Sequence, residues 1–377
     1  MQTKHFGLCA ALSAAALLLL AGCAGSGSTA APTLTVESSY PLQYAKQFTV
    51  DECTGGYELI TIADSQYLVV PQGAAVPEDL PQGTTVLQQP IENIYLVSTS
   101  AMDPIISLGA LDSIALSGTK ADGWYLPEAK AAMQAGQIAY AGKYSAPDYE
   151  TILASGCGLA IENTMIYHTP EVKEQLEKFG IPVLVERSSY ETDPLARMEW
   201  VKLYGILLGK KQEAEQLFDT QVQRVAPLEN QQPTGKTVAF FSITSNNLVT
   251  VRKGSDYVAR MIEMAGGSYV FDDLTDSGNN LATINLSLED FYAGAKDADV
   301  LIYNSTIEGS IASTEQLVEK CPLLAQFKAV QNGNVWCTAQ SLFQQSMELP
   351  DLILDMNRVF TEGTPADSEL TFLTHVE

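Results

Sequence analysis

Histidine is nearly absent from this sequence. Three occur in 377 residues, and only His168 lies in the body of the chain, with His5 and His375 near the two ends. Sites that hold bare zinc or manganese draw on clustered imidazoles, so that class is excluded. A hydrolytic triad needs an imidazole beside its nucleophile, and no G-x-S-x-G turn is present to supply one. A P-loop and a G-x-G-x-x-G turn are missing as well. No catalytic set and no metal site is therefore expected. Cysteine is scarce: six residues, none in a C-x-x-C pair, which excludes a structural zinc knuckle. Positive charge is short too. Lys and Arg number 21 against 45 Asp and Glu, for a net charge of −24. A surface of that sign repels nucleic acid and anionic headgroups. Beyond the N-terminus no apolar run is long enough to span a bilayer.

What the chain does have begins at its N-terminus. Lys4 precedes an apolar stretch over residues 6–20, which runs into Leu20-Ala21-Gly22-Cys23. A cationic start, a short apolar core and a small-residue cleavage site describe a secretory signal over residues 1–22. A cysteine at that cut resembles a bacterial lipobox, which makes Cys23 the lipid attachment residue. Acyl chains there would hold the protein on the extracytoplasmic face of the cell membrane. Residues 23–33, rich in Gly, Ser, Thr and Ala, read as a flexible linker. Four further cysteines remain in the mature chain. Cys321 and Cys337 are close enough in sequence for a disulfide outside the cytoplasm, with free buried thiols as the alternative.

A hydrophobic content of 46% supports a sizeable core, and the length suits one large or two medium domains. Residues 34–89 carry short β-type runs around a Gly55-Gly56 turn. From residue 94 strands alternate with helices: strands at 94–97, 113–116, 159–161 and 181–185, helices at 127–134, 148–154 and 170–180. That alternation predicts a mainly parallel sheet. Residues 194–225 show helical periodicity with only Gly205 and Gly209 as breakers. They predict a long, or once-broken, helix of about 30 residues and about 45 Å. A second strand series begins at Thr237, and residues 160–166 align with residues 301–307. The expected organisation is an N-terminal lobe with a β-rich leader at 34–193, a connecting helix at 194–228, a C-terminal lobe at 235–362 and a tail at 363–377. The fold class is α/β, with two Rossmann-like lobes joined by one long backbone helix.

Ligands of open α/β sheets sit beyond the carboxyl ends of the strands. The loops there hold aromatic and polar residues suited to a bulky, partly flat ligand. The loop after the second strand offers Lys120, Trp124 and Tyr125. From such loops the candidate ligand-binding residues are Trp124, Tyr144, Met165, His168, Ser189, Tyr190, Asn246, Asn304 and Phe343. Trp200 and Trp336 read as core.

Several segments, taken in order, resemble the class III substrate-binding proteins of ABC importers. Residues 94–110, "IYLVSTSAMDPIISLGA", resemble that family's first strand and helix. Arg197-Met198-Glu199-Trp200 through Gly209 resembles the start of its backbone helix. Residues 261–267, ending in Gly266-Gly267, resemble its C-lobe helix, and residues 288–302 resemble the segment leading to its next strand. The resemblance covers roughly residues 86–360. It implies a binding protein, not an enzyme, for a ferric siderophore, haem or cobalamin. No intrinsic cofactor is implied; the bound ligand is a metal chelate. The partners implied are an ABC transporter permease, the chelate and the membrane through the lipid, for a monomer that binds no nucleic acid. The family docks one acid on each lobe into basic permease pockets, which points to Asp103 and Glu263. A surface-anchored enzyme or chelate-modifying protein on the same scaffold is the alternative.

Overall fold

The computed structural model describes residues 33–275 and 282–377. Cys23 and the signal lie outside the described residues, as does nearly all of the linker. The first described elements form a sheet. Strands β1 (Val36–Ser39), β2 (Phe48–Cys53), β3 (Tyr57–Ile62), β4 (Ser65–Val70) and β5 (Thr85–Gln88) lie in that order, antiparallel up to β4, with β5 parallel to β4. Gly55 and Gly56, at φ of 82° and 80°, turn β2 into β3, a backbone shape that favours glycine. Along β4, Tyr67 and Val69 enter the main core while Leu68 and Val70 enter a smaller cluster with Tyr57 and Leu59. This is the period-two alternation of a strand with both faces covered. The leader expected over residues 34–89 is thus a packed layer.

The N-terminal lobe follows: β6 (Ile94–Leu96), α1 (Met102–Ser107), β7 (Ile114–Ser117), α2 (Pro127–Gln134), β8 (Ala139–Tyr140), a small hairpin of β9 (Gly142–Lys143) and β10 (Ala146–Pro147), α3 (Tyr149–Ala154), β11 (Ala160–Glu162), α4 (Pro170–Lys178) and β12 (Val183–Val185). Its sheet runs β12-β11-β6-β7-β8 and is parallel throughout, as the alternation predicts. Pro127 and Pro170 open their helices, where the missing N–H is no loss.

The connection is α5 (Pro194–Leu207) and α6 (Lys211–Val225). Of the two expectations for this stretch, the once-broken form is the one that folds, and a straight 45 Å rod is not present. Gly209, at φ 69°, ends α5, and the Lys210 N–H turns back to the Gly205 carbonyl at 2.7 Å. That is the usual way a glycine closes a helix. The two helices then pack closely. A Cβ on Gly205 would stand 2.4 Å from the Ala214 Cβ, so no side chain fits there. Helix α5 is buried on nearly every side, against α1 of one lobe and helices of the other.

The C-terminal lobe comprises β13 (Thr237–Ile243), β14 (Val249–Arg252), α7 (Tyr257–Met264), β15 (Ser268–Tyr269), β16 (Thr283–Leu286), α8 (Leu288–Ala295), β17 (Val300–Tyr303), α9 (Ser305–Glu308), α10 (Thr314–Lys320), α11 (Lys328–Gln331), β18 (Val335–Thr338), α12 (Leu349–Glu362) and β19 (Leu373–His375). The sheet order is β16-β14-β13-β17-β18-β19, with β15 added beside β13. Residues 363–377 are therefore not a free tail. Strand β19 pairs antiparallel with β18. The Asp355 carboxylate holds its entry, accepting the N–H groups of Thr371, Phe372 and Leu373 at 2.9, 2.6 and 3.1 Å. Cys53, Cys157, Cys321 and Cys337 are all free thiols. Trp200 and Trp336 are core residues, as expected.

Candidate ligand cleft between the lobes

The central strands β11 and β17 end alike. Each runs into an asparagine whose side chain caps a helical turn. The Asn163 carbonyl oxygen accepts from the Met165 N–H at 2.9 Å, and that of Asn304 from the Thr306 N–H at 3.2 Å. The repeat seen in the sequence is thus one structural device used twice. The loops at these strand ends also meet across the lobes. The Gln344 amide, after β18, donates to the Gly123 carbonyl and accepts from the Tyr125 N–H, both at 2.8 Å. The Ser346 hydroxyl donates to the Ser100 carbonyl at 3.0 Å. The two sets of strand ends therefore face one another and bound a cleft.

Ten large apolar side chains are exposed among the described residues, and six of them stand at or just beyond these strand ends. Tyr125, Tyr140, Met165 and Tyr167 belong to the N-terminal lobe, Leu248 and Ile307 to the C-terminal lobe. Ile307 is 70% exposed at the turn beyond Asn304. Apolar surface gathered on one face marks a site that something else covers. A pocket of about 280 Å³ opens beside it over the C-terminal sheet, lined by Thr244, Thr250, Arg252, Asn285, Asn304 and Ile307.

The structure sorts the sequence candidates. Met165, His168 and Ser189 stand exposed at N-terminal strand ends, and Asn246 in the β13–β14 turn. Tyr190 lies half-buried beneath the Arg187 guanidinium, 4.6 Å from its ring centre, and Phe343 beneath that of Arg252 at 4.7 Å. Tyr144, at the β9–β10 hairpin, packs half-buried on the smaller cluster of the N-terminal lobe. Asn304 is buried as a cap. Trp124 is a correction. It is buried in the core, with its indole N–H on the Ser117 hydroxyl at 3.2 Å, and cannot stack on a ligand. Its neighbour Tyr125 is the exposed ring. Sequence reasoning also missed Tyr140, Tyr167, Leu248 and Ile307, whose only signal was position at strand ends.

The proposed docking acids fare differently from expectation. Asp103 is buried on α1, where its carboxylate accepts the Met347 N–H of the other lobe at 2.7 Å. It is out of reach of an external arginine. Burial raises its pKa, and burial together with the Asp103 charge beside it pushes that of Glu348 up to about 8. Glu263 is exposed, but its carboxylate is paired with Arg260, which also lies 3.8 Å from Asp193 at the head of α5. Elsewhere in the N-terminal lobe, Glu186 is buried and satisfied by the Ser98 and Ser100 hydroxyls at 2.9 and 3.0 Å and the Ser188 N–H at 2.7 Å. Glu162, the residue before Asn163, is buried with neither carboxyl oxygen hydrogen-bonded, and desolvation pushes its pKa up to about 8. Among the described residues no group of three or more His, Cys, Asp and Glu converges to hold a metal ion.

The sequence profile of the family described as periplasmic binding protein matches residues 96–341. An uncharacterized lipoprotein of Methanocaldococcus jannaschii is 27% identical over 241 residues, which is 62% of this chain and 55% of that protein. The chain spans about half the length of the curated relatives it matches. Among solved structures, a periplasmic heme binding protein from Pseudomonas aeruginosa superposes with a TM-score of 0.58 at 18% identity, over 76% of this chain and 99% of its own. An ABC-type Fe3+-hydroxamate transport protein from Saccharomonospora viridis does so at 0.55 and 22% identity, over 72% and 94%. At such identities the likeness is one of fold. The profile match runs from the end of β6 to the segment after β18 and so takes in both lobes: the chain belongs to the periplasmic binding protein family, as the resemblance in its motifs implies.

Proposed function

We propose that the protein captures a metal chelate, of the kind represented by ferric siderophores, haem and cobalamin, between its lobes and delivers it to an ABC importer permease. One observation carries this reading: six of the ten large apolar side chains exposed among the described residues gather at the facing strand ends, four from one lobe and two from the other. A bulky ligand with a flat or apolar body would cover them. The heme and Fe3+-hydroxamate proteins that share the fold lend it support. A binding role also suits His168, whose exposed ring makes no hydrogen bond to a nucleophile or a carboxylate among the described residues.

Docking needs an exposed acid at a matching place on each lobe. Glu150 and Glu289 meet that need better than Asp103 and Glu263. Each is an exposed acid in the first turn of the helix, α3 or α8, that leads into the repeated strand, β11 or β17. The chain acts as a monomer held to the membrane by a lipid on Cys23. A Cys23→Ser protein that stays processed and membrane-bound would remove the anchor.

The test of capture is an equilibrium titration of the purified protein with haem, a ferric hydroxamate and cyanocobalamin, followed by visible absorbance and tyrosine fluorescence. Saturable one-to-one binding of at least one chelate is expected. Failure of every chelate to bind would remove the reading.

A further inference from the structure

We infer that Asp103 and Glu348 form a proton-held latch between the lobes: one proton shared by the two side chains keeps the lobes together, and its loss as pH rises lets them part. The two residues stand on opposite sides of the junction. Asp103 lies on α1 of the N-terminal lobe and is 4% exposed. Glu348 stands at the head of α12 in the C-terminal lobe. The backbone brings them together, because the Met347 N–H, one residue before Glu348, donates to the Asp103 carboxylate at 2.7 Å.

That bond belongs to a seam along one flank of the cleft. The Gln344 amide holds Gly123 and Tyr125, the Ser346 hydroxyl holds the Ser100 carbonyl, and Met347 holds Asp103. On the side of residues 344–347 these contacts use amide, hydroxyl and backbone groups, whose charge does not change with pH. Asp103 and Glu348 add two titratable carboxyls to the seam.

Like charges set side by side in one site raise the proton affinity of one partner. The structure gives a second reason for a proton here. The Glu348 Oε2 atom is buried with no hydrogen-bond partner among the described residues. Ionised, it is a desolvated charge without a donor. Protonated, the Glu348 carboxyl becomes a donor, and the Asp103 carboxylate beside it has acceptor sites beyond the one that Met347 uses. The surroundings do not neutralise the pair. Glu128 on α2 faces Asp103, and Asp351 on α12 faces Glu348; both are acids. Arg224 on α6 is a cation whose charge reaches Glu348, but its guanidinium is engaged by Asp351 at 2.9 Å and by Gln221 at 3.0 Å. Burial and the Asp103 charge accordingly hold the Glu348 proton up to about pH 8.

Opening the lobes returns Glu348 to water, where its pKa falls toward the ordinary 4.5. Between these two values the carboxyl is protonated when closed and ionised when open, so closing takes up one proton. The ratio of closed to open lobes then falls about tenfold for each pH unit in that window. The latch is at full strength below about pH 4.5 and spent above about pH 8. Whatever ligand the cleft takes, its retention is thereby tied to the pH of the medium.

The test uses the full mature chain without ligand, so its outcome is independent of chelate capture. The distance between a spin label on α2 and one on α10 is measured from about pH 5 to about pH 8.5, and the ratio of closed to open lobes should fall at least tenfold across that range. Should the wild type stay closed throughout, Gln344→Ala removes two neutral bonds of the seam and brings the ratio into range. Glu348→Gln keeps a donor facing Asp103 that cannot titrate, so it should hold the acid-pH ratio over the whole range. Asp103→Asn, which removes the neighbouring charge and should flatten the pH dependence, is the second variant if Glu348→Gln fails to fold. A ratio that does not move with pH in either the wild type or Gln344→Ala would overturn the latch. A folded Glu348→Gln or Asp103→Asn protein that opens with pH as the wild type does would assign the proton to another group and overturn it as well.

Discussion

Glu199 and Glu191 divide between them the backbone N–H groups of five consecutive residues, Gln43 to Gln47. Glu199, fully buried on α5, accepts from Gln43, Tyr44 and Ala45 at 2.7–3.1 Å and from the Lys202 ammonium at 2.7 Å. Glu191 accepts from Lys46 and Gln47 at 2.9–3.1 Å and from the Trp200 indole at 3.2 Å. The strap leading into β2 is thereby fastened to the helix that joins the lobes. Charge-assisted bonds of this kind are the strong ones.

Removing Glu199 strands the buried Lys202 ammonium as well as three N–H groups. Glu199→Ala should lose about 3–5 kcal/mol of stability, the range for breaking a buried pair by deleting one partner. Urea unfolding measures it. A loss under about 1 kcal/mol would mean that the strap is held by other contacts.

Glu162 sets a pH dependence. Its folded-state pKa of about 8 lies above the ordinary 4.5, so between these values the carboxyl is protonated when folded and ionised when unfolded. Its contribution is fully present below about pH 4.5 and is lost as pH rises through 8, by on the order of a few kcal/mol. Glu162→Gln keeps the shape without the titration. The variant should gain on the wild type steadily from pH 5 to pH 8 in thermal unfolding. A constant difference across that range would place the carboxyl in contact with water or a cation.

Gln344 is the clearest polar latch between the strand-end loops. Gln344→Ala deletes both of its bonds to the N-terminal lobe, worth about 1–3 kcal/mol together. The distance between spin labels on the two lobes, measured without ligand, should lengthen or broaden. An unchanged distribution would assign closure to the Asp103–Met347 contact and the Arg197–Tyr257 stack instead.

Charge reversal at Glu150 and Glu289 separates docking from capture. The double change to lysine should abolish chelate uptake by cells while ligand affinity stays within twofold. Uptake at the wild-type rate would remove these acids from the permease contact. Lost affinity would place them in the cleft.

Much of this architecture was legible because it rests on local patterns. The alternation of strands and helices gave the parallel N-terminal sheet. Pro127, Pro170 and Asp148 marked helix starts, and Gly209 marked the break that turns one expected rod into two packed helices. The Asn163–Asn304 repeat was visible because a capping turn needs the same residue in both lobes. Side-chain direction was not legible. Trp124 and Tyr125 are adjacent, and only the packed lobe decides that the indole turns inward to Ser117 while the tyrosine faces out. Asp103 likewise reads as a surface acid until the segment after β18, 244 residues later, folds over it. Nor does any spacing reveal that β19 completes the C-terminal sheet.

The central claim is that the strand-end loops of both lobes close over one ligand. Oxidative footprinting of side chains by X-ray radiolysis, with and without a saturating chelate, tests it most directly. Tyr125, Tyr140, Met165, Tyr167, Leu248 and Ile307 should be protected together, while Val76 and Phe179, exposed elsewhere, should be oxidised equally in both states. Protection confined to one lobe, or found at Val76 or Phe179 and absent from the six, would contradict it.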